Sequence, residues 1–232
     1  MPRKSSKKRT ALVAGASGLV GSLCLQNLLK DTHYSQVLVV VRKPLELKHP
    51  KLKQIVVDFD HLEKFAKQLK TDEVYCGLGT TRKKSPDPEA YRKIDFEYVF
   101  KLARITAGNK AEKFLVVSSM GADADSSIFY SRLKGEMEEA VSALNFKAVH
   151  IFRPPFIIGE KDRPERRPME RILEIVLKPL PFLFVGPLQK YRPIQAQTIA
   201  RAMVKTAQTN LVGVHVWESN QIEKLAAIEV HK

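Results

Sequence analysis

The hydrophobic positions of this chain fall into short continuous runs separated by polar turns and by stretches with helical spacing. Residues 11–14, 37–41, 55–57, 74–76, 114–117 and 148–152 are largely apolar runs of strand length, as in strands covered on both faces. Between them lie four helical patterns. Leu19, Leu23, Leu28 and Leu29 mark one face of the first, and Leu62, Phe65, Ala66 and Leu69 mark the second. Tyr91, Ile94, Tyr98, Leu102 and Ile105 give the third a long apolar face. Asp87 caps that helix, Pro88 takes its first position, and Gly108-Asn109 ends it. The fourth covers residues 130–144. Alternating strands and helices predict a doubly wound, Rossmann-like parallel sheet, with its strand C-termini along one edge. After Pro155 the pattern changes to a charged, proline-containing stretch at 160–168, a short helix at 171–177 and a proline-punctuated apolar segment at 178–187. A helix at 198–207, a strand at 214–217 and a last short helix follow. Residues 10–232 are therefore expected to form one domain, to which 156–232 add a small lobe on the substrate side of the strand edge.

The turn after the first strand reads Gly15-Ala-Ser17-Gly18-Leu19-Val20-Gly21. Strand, glycine turn and helix in that order are the context of a dinucleotide-binding site. Gly15 permits the sharp turn, Gly18 lets the backbone approach a pyrophosphate, and Gly21 lets the helix pack on the strand. The helix N-terminus offers N–H groups and a partial positive charge to the phosphates.

Composition narrows the picture. The net charge is +14, and five basic residues lie in the first nine positions: Arg3, Lys4, Lys7, Lys8 and Arg9. Residues 1–9 are read as a disordered, solvated tail. With no helix-turn-helix, zinc or aromatic RNA-binding signature, nucleic acid is not an expected partner. Cys24 and Cys76 both sit in apolar segments, which argues for a reducing compartment and against a disulfide framework. The six histidines show no close pairing, so no metal is expected. No apolar run approaches the ~20 residues of a membrane span, and the N-terminus lacks the apolar core of a secretion signal. The cytoplasm is the expected location.

Candidate chemistry collects at the predicted strand ends. Arg42, followed by Lys43, stands where an NAD-preferring site usually carries an acid, and an arginine there suits the 2′-phosphate of NADP(H). Asp58, with Phe59 after it, can accept a hydrogen bond from an adenine amino group or cap the next helix. Leu78, Gly79, Thr80 and Thr81 could lie against the cofactor, as could Ser118 and the residues Pro154 and Phe156 after the sixth strand. Tyr130 and Lys134 are spaced i, i+4, on one helical face. A lysine ammonium beside a tyrosine stabilises the phenolate and brings its ordinary pKa of ~10 down toward neutrality. Ser119, at a strand end, could hydrogen-bond a substrate carbonyl that Tyr130 protonates. Arg82, Lys83 and Lys84 on one loop, and Arg163, Arg166 and Arg167 on another, would favour an anionic substrate or partner if both border one cleft.

The glycine turn, the strand-end serine and the Tyr130/Lys134 pair resemble the short-chain dehydrogenase/reductase superfamily. The stretches GASGLVGS, VVDFDHL, CGLGTTR, VSSMGADADSSIFY, SRLKGEMEE and FRPPFIIGE more closely resemble the Tat-interacting protein family, atypical members of that superfamily. The likeness runs from Thr10 to Pro168, and the basic tail has no counterpart in it. It implies NADP(H) at residues 15–21 and Arg42, with Ser119, Tyr130 and Lys134 in active-site positions. Two functions follow: an NADPH-dependent reductase of a small carbonyl compound, or a non-catalytic NADPH-binding regulator acting through protein partners.

Overall fold

The structure is a computed structural model, and it describes residues 8–80, 87–159 and 191–228. The apolar runs form the strands β1 (Arg9–Ala14), β2 (Tyr34–Val41), β3 (Leu52–Val56), β4 (Glu73–Cys76), β5 (Lys113–Val117) and β6 (Ala148–Arg153). The helical stretches form α1 (Leu19–Lys30), a 3₁₀ segment (Phe59–Gln68), α2 (Pro88–Arg92) and α3 (Tyr98–Gly108), joined by a π-helical turn (Lys93–Glu97), and α4 (Phe129–Ser142). A two-strand pair, β7 (Ile157–Ile158) and β8 (Ile194–Gln195), precedes α5 (Ala196–Ala207), β9 (Gly213–Glu218) and α6 (Ser219–Ala227).

Among the described residues the main sheet has seven strands in the order β3-β2-β1-β4-β5-β6-β9, every pair parallel. Strand periodicity divides the core. Ala11 and Val13 face the layer of α1, α5 and α6, while Leu12 and Ala14 face the 3₁₀ segment, α3 and α4. The central strands are covered on both faces, which is why they read as continuous apolar runs rather than alternating ones.

The segment expected as a lobe has a different role in its described part. β9 pairs with β6 as the seventh strand, and α5 lies beside α1, with Cys24 Sγ 3.7 Å from Met203 Sδ. Residues 160–190 lie outside the described residues, and with them the helix expected at 171–177 and the apolar segment at 178–187.

The tail boundary also moves. Arg9, grouped with the tail by composition, opens β1, with Nε 2.8 Å from Glu73 Oε1 and Nη2 2.8 Å from Glu112 Oε2. Glu73 is fully buried and also accepts hydrogen bonds from the Tyr34 and Tyr75 hydroxyls. A buried carboxylate needs a compensating cation, so Arg9 belongs to the domain. Residues 1–7 lie outside the described residues.

The pairing of β6 with β9 buries a titratable group. His150 on β6 is fully buried, stacks on His215 of β9, and accepts a hydrogen bond at Nδ1 from Trp217 Nε1 at 3.4 Å. Burial, reinforced by the charges of His215 and Lys113, pushes its pKa down from 6.5 to about 3. The folded state therefore binds fewer protons than the unfolded chain between these values. Stability is fully present above pH 6.5 and falls as the pH drops toward 3, by about 1.4 kcal/mol per pH unit from this group. Urea unfolding followed by the single tryptophan, at pH 7, 6 and 5, should show this slope, and His150→Phe should flatten it.

Candidate active site

The glycine turn is built by three backbones in contact. Gly15 has φ +81°, and a Cβ there would lie 2.5 Å from the Gly77 carbonyl oxygen at the end of β4. A Cβ at Gly21 would collide with the Gly15 carbonyl, so α1 can sit this close to β1 only with glycine at that position. The Gly18 N–H donates to Gly15 O at 2.8 Å and closes the turn. α1 then starts without a side-chain cap and without an acid in its first turn. A backbone cradle that side chains would fill, opening onto a helix N-terminus, suits a pyrophosphate. Ser17 is exposed at the turn, while Val20 points into the core.

The remaining candidates occupy the same strand edge. Arg42 and Lys43 are exposed at the end of β2. Asp58 accepts a hydrogen bond from Asp60 N at 3.0 Å and lies 2.8 Å from His61 Nδ1. It thus caps the 3₁₀ segment, and both bonds hold its carboxyl below the usual carboxylate range, the His61 bond most. Phe59 is buried against Tyr98, with ring centroids 5.2 Å apart. Leu78 packs on the core, and Gly79 is exposed. Pro154 is buried, its carbonyl accepting the Met120 N–H at 3.1 Å, and Phe156 is exposed. Thr81, Arg82, Lys83, Lys84, Arg163, Arg166 and Arg167 lie outside the described residues.

The two strand-end serines diverge. Ser118 is buried and donates its hydroxyl to Glu138, which also accepts two hydrogen bonds from Arg153 Nε at 3.1 Å. That cluster ties β5, β6 and α4 together. Ser119 is half-buried, with its Oγ 3.3 Å from Met120 O.

Tyr130 lies in the first turn of α4, 37 % exposed, with its ring edge-on to Tyr91 at 5.8 Å. One turn on, Lys134 is buried, and its Nζ lies 2.7 Å from Asp95 Oδ1. The other carboxyl oxygen of Asp95 accepts the Thr80 N–H at 2.7 Å. Asp95 therefore joins the loop after β4 to the lysine of α4. Burial pulls the Lys134 pKa down, but Asp95, with Tyr130 adding to it, outweighs the burial and the net shift is upward, so the ammonium keeps its charge at neutral pH.

Sequence reasoning missed Asp95. A signal was present: Tyr91 and Asp95 are i, i+4, which puts a carboxylate on the apolar face of a helix. An acid on a buried face needs a partner, but the partner is 39 residues away in the chain, and only the fold brings it near. The π-helical turn supplies the local geometry, since such insertions re-aim side chains at functional sites.

Comparison with known proteins agrees with this geometry. Residues 15–155 match a family model described as NAD(P)H-binding. Protein HTATIP2 of Rattus norvegicus is 30 % identical over 230 residues, 97 % of this chain and 90 % of that protein. The mitochondrial protein FMP52-1 of Scheffersomyces stipitis is 30 % identical over 86 % of this chain and 88 % of its own length. Among solved structures, ADP-L-glycero-D-manno-heptose-6-epimerase of Helicobacter pylori superposes with a TM-score of 0.69 at 17 % identity, covering 97 % of this chain and 83 % of that one. MoeE5 in complex with UDP-glucose and NAD gives 0.66 at 18 % identity, covering 94 % and 81 %. Identities this low bear on the fold alone. Among the described residues no helix is long and apolar enough to cross a membrane.

Proposed function

Because the chain belongs to the NAD(P)H-binding family that includes protein HTATIP2, we propose that it is an NADPH-dependent reductase of small carbonyl compounds, with Tyr130 as its proton donor. The observation that carries this reading is the buried, charge-balanced Lys134 one helical turn from the partly exposed Tyr130, on the strand edge that holds the glycine cradle. When bound, the dinucleotide supplies the hydride. The chain supplies the rest. The 15–21 turn and the α1 N-terminus hold the pyrophosphate, and Arg42 holds the 2′-phosphate. Ser119 donates a hydrogen bond to the carbonyl oxygen and fixes its direction. Tyr130 gives its proton to that oxygen as negative charge develops there, and Lys134 stabilises the phenolate left behind. Solvent then returns the proton. Asp95 holds Lys134 in place and keeps it cationic. The two buried free thiols support a reducing compartment.

The cofactor preference is open to a direct test. NADPH should bind at least tenfold more tightly than NADH, because an arginine–phosphate pair makes charge-assisted, often bidentate bonds. Arg42→Ala should erase most of that difference and leave NADH affinity nearly unchanged. Titration calorimetry with both cofactors decides it, and equal affinities in the unmodified protein would refute NADP(H) selection. Turnover is tested by screening aldehydes and ketones for NADPH oxidation. A protein that binds NADPH but oxidises it with none of them would be a cofactor-binding regulator.

A further inference from the structure

The accessible edge around Tyr130 carries several large apolar side chains. Tyr91 stands edge-on to both Phe129 and Tyr130, with centroids 6.3 Å and 5.8 Å away. Its hydroxyl donates to Thr80 O at 3.2 Å, so this aromatic wall begins at the loop after β4 and ends at the candidate proton donor. Ile128, just before α4, is 65 % exposed, and Phe129 is 39 % exposed. Phe156 is 53 % exposed, two residues beyond the Pro154 carbonyl that bonds Met120, the neighbour of Ser119. Single exposed apolar residues are ordinary on a protein surface, but several together at a candidate site are not.

Most of the described cations nearby already have a carboxylate partner. Lys134 pairs with Asp95 at 2.7 Å, Arg92 with Glu136 at 2.7 Å and Arg153 with Glu138 at 2.5 Å. Arg132 donates to Ser126 O at 2.8 Å and shares Glu136 with Arg92, its Nε 4.0 Å from Oε1. An anionic substrate group laid against this wall would give up hydration to apolar surface.

We propose that the substrate carries an alkyl or aryl group beside its carbonyl, and that this group lies against the wall of Tyr91, Phe129 and Tyr130, with Ile128 at the rim. The proposal rests on the reductase reading. Hydride adds to the carbonyl carbon and the Tyr130 proton to its oxygen, giving the secondary or primary alcohol, while NADPH becomes NADP⁺. The apolar group takes no part in the bond changes and contributes binding only.

The test uses the full chain saturated with NADPH and two series: 2-alkanones from 2-butanone to 2-octanone, and the same ketones with a terminal carboxylate. Binding is read by calorimetry and turnover by NADPH oxidation. Each added methylene should tighten binding about two- to fourfold, the range for a partly to fully buried CH₂. The terminal carboxylate should cancel that gain. Phe129→Ala and Ile128→Ser should each weaken 2-octanone by about tenfold and leave NADPH affinity unchanged. A flat series, or carboxylates that bind as tightly as their parents, overturns the apolar assignment. A steep series with no NADPH oxidised by any ketone upholds the apolar site and overturns the reductase.

Discussion

Tyr130→Phe should abolish carbonyl reduction and leave the fold and NADPH affinity intact. The tyrosine is 37 % exposed and near the start of α4, so its hydroxyl is not part of the core. The ring keeps its edge-on contact with Tyr91 when the hydroxyl is removed. What disappears is the acid that delivers a proton as the carbonyl oxygen becomes an alkoxide. A positioned general acid contributes about 10²–10⁴-fold, and the whole loss should appear in the chemical step. Single-turnover oxidation of prebound NADPH should slow by that factor, with the dissociation constant for NADPH within about twofold of the unmodified protein. A variant as fast as the parent would mean that another group, or water, delivers the proton, and the role assigned to Tyr130 would fall.

The sheet was legible because its strands are covered on both faces. Residues 11–14 and 37–41 are apolar without interruption, and no other element of this length buries itself that way. Boundaries were less legible where burial depends on a distant partner. β2 begins at Tyr34, because the Tyr34 hydroxyl reaches Glu73 at 2.6 Å and Tyr75 at 2.7 Å inside the core. The helix expected at 62–69 is a 3₁₀ segment that begins at Phe59, broken at His61, where Asp58 engages both Asp60 N and the His61 ring. β9 has the alternation of a half-exposed strand, with Val214 and Val216 exposed and His215 and Trp217 stacked on His150. That alternation identifies a strand but does not say which sheet receives it, so a lobe and an edge strand of the main sheet read alike in the sequence. In the site, the glycine turn and the Tyr130/Lys134 pair were legible because their geometry is local. Gly77 and Asp95 were not, because each acts on a residue distant in sequence: Gly77 on Gly15, and Asp95 on Lys134.

Removing the Asp95 carboxylate should be the most damaging single change to the site. Asp95 and Lys134 are 2 % and 4 % exposed at their side chains, so Asp95→Ala leaves an ammonium buried without its counter-ion. Breaking such a pair typically costs about 3–5 kcal/mol, and for a domain of this size that is roughly a 10 °C fall in melting temperature. The Thr80 N–H loses its acceptor as well, which loosens the loop after β4 beside the cofactor cradle. Two further variants separate charge from packing. Asp95→Asn keeps one oxygen, enough to accept from either Thr80 or Lys134, but removes the charge that holds the Lys134 pKa up against burial. Lys134 should then lose its proton at a lower pH, and the alkaline limb of the turnover profile should move down with it. The double variant Asp95→Leu/Lys134→Met removes both charges and should be more stable than Asp95→Ala, although inactive. Thermal unfolding and the pH dependence of NADPH oxidation measure the two effects independently. An Asp95→Asn profile that superimposes on the parent's would show that Asp95 supports the fold without tuning the lysine, and the chain of contacts from Thr80 through Asp95 to Lys134 would then be structural alone.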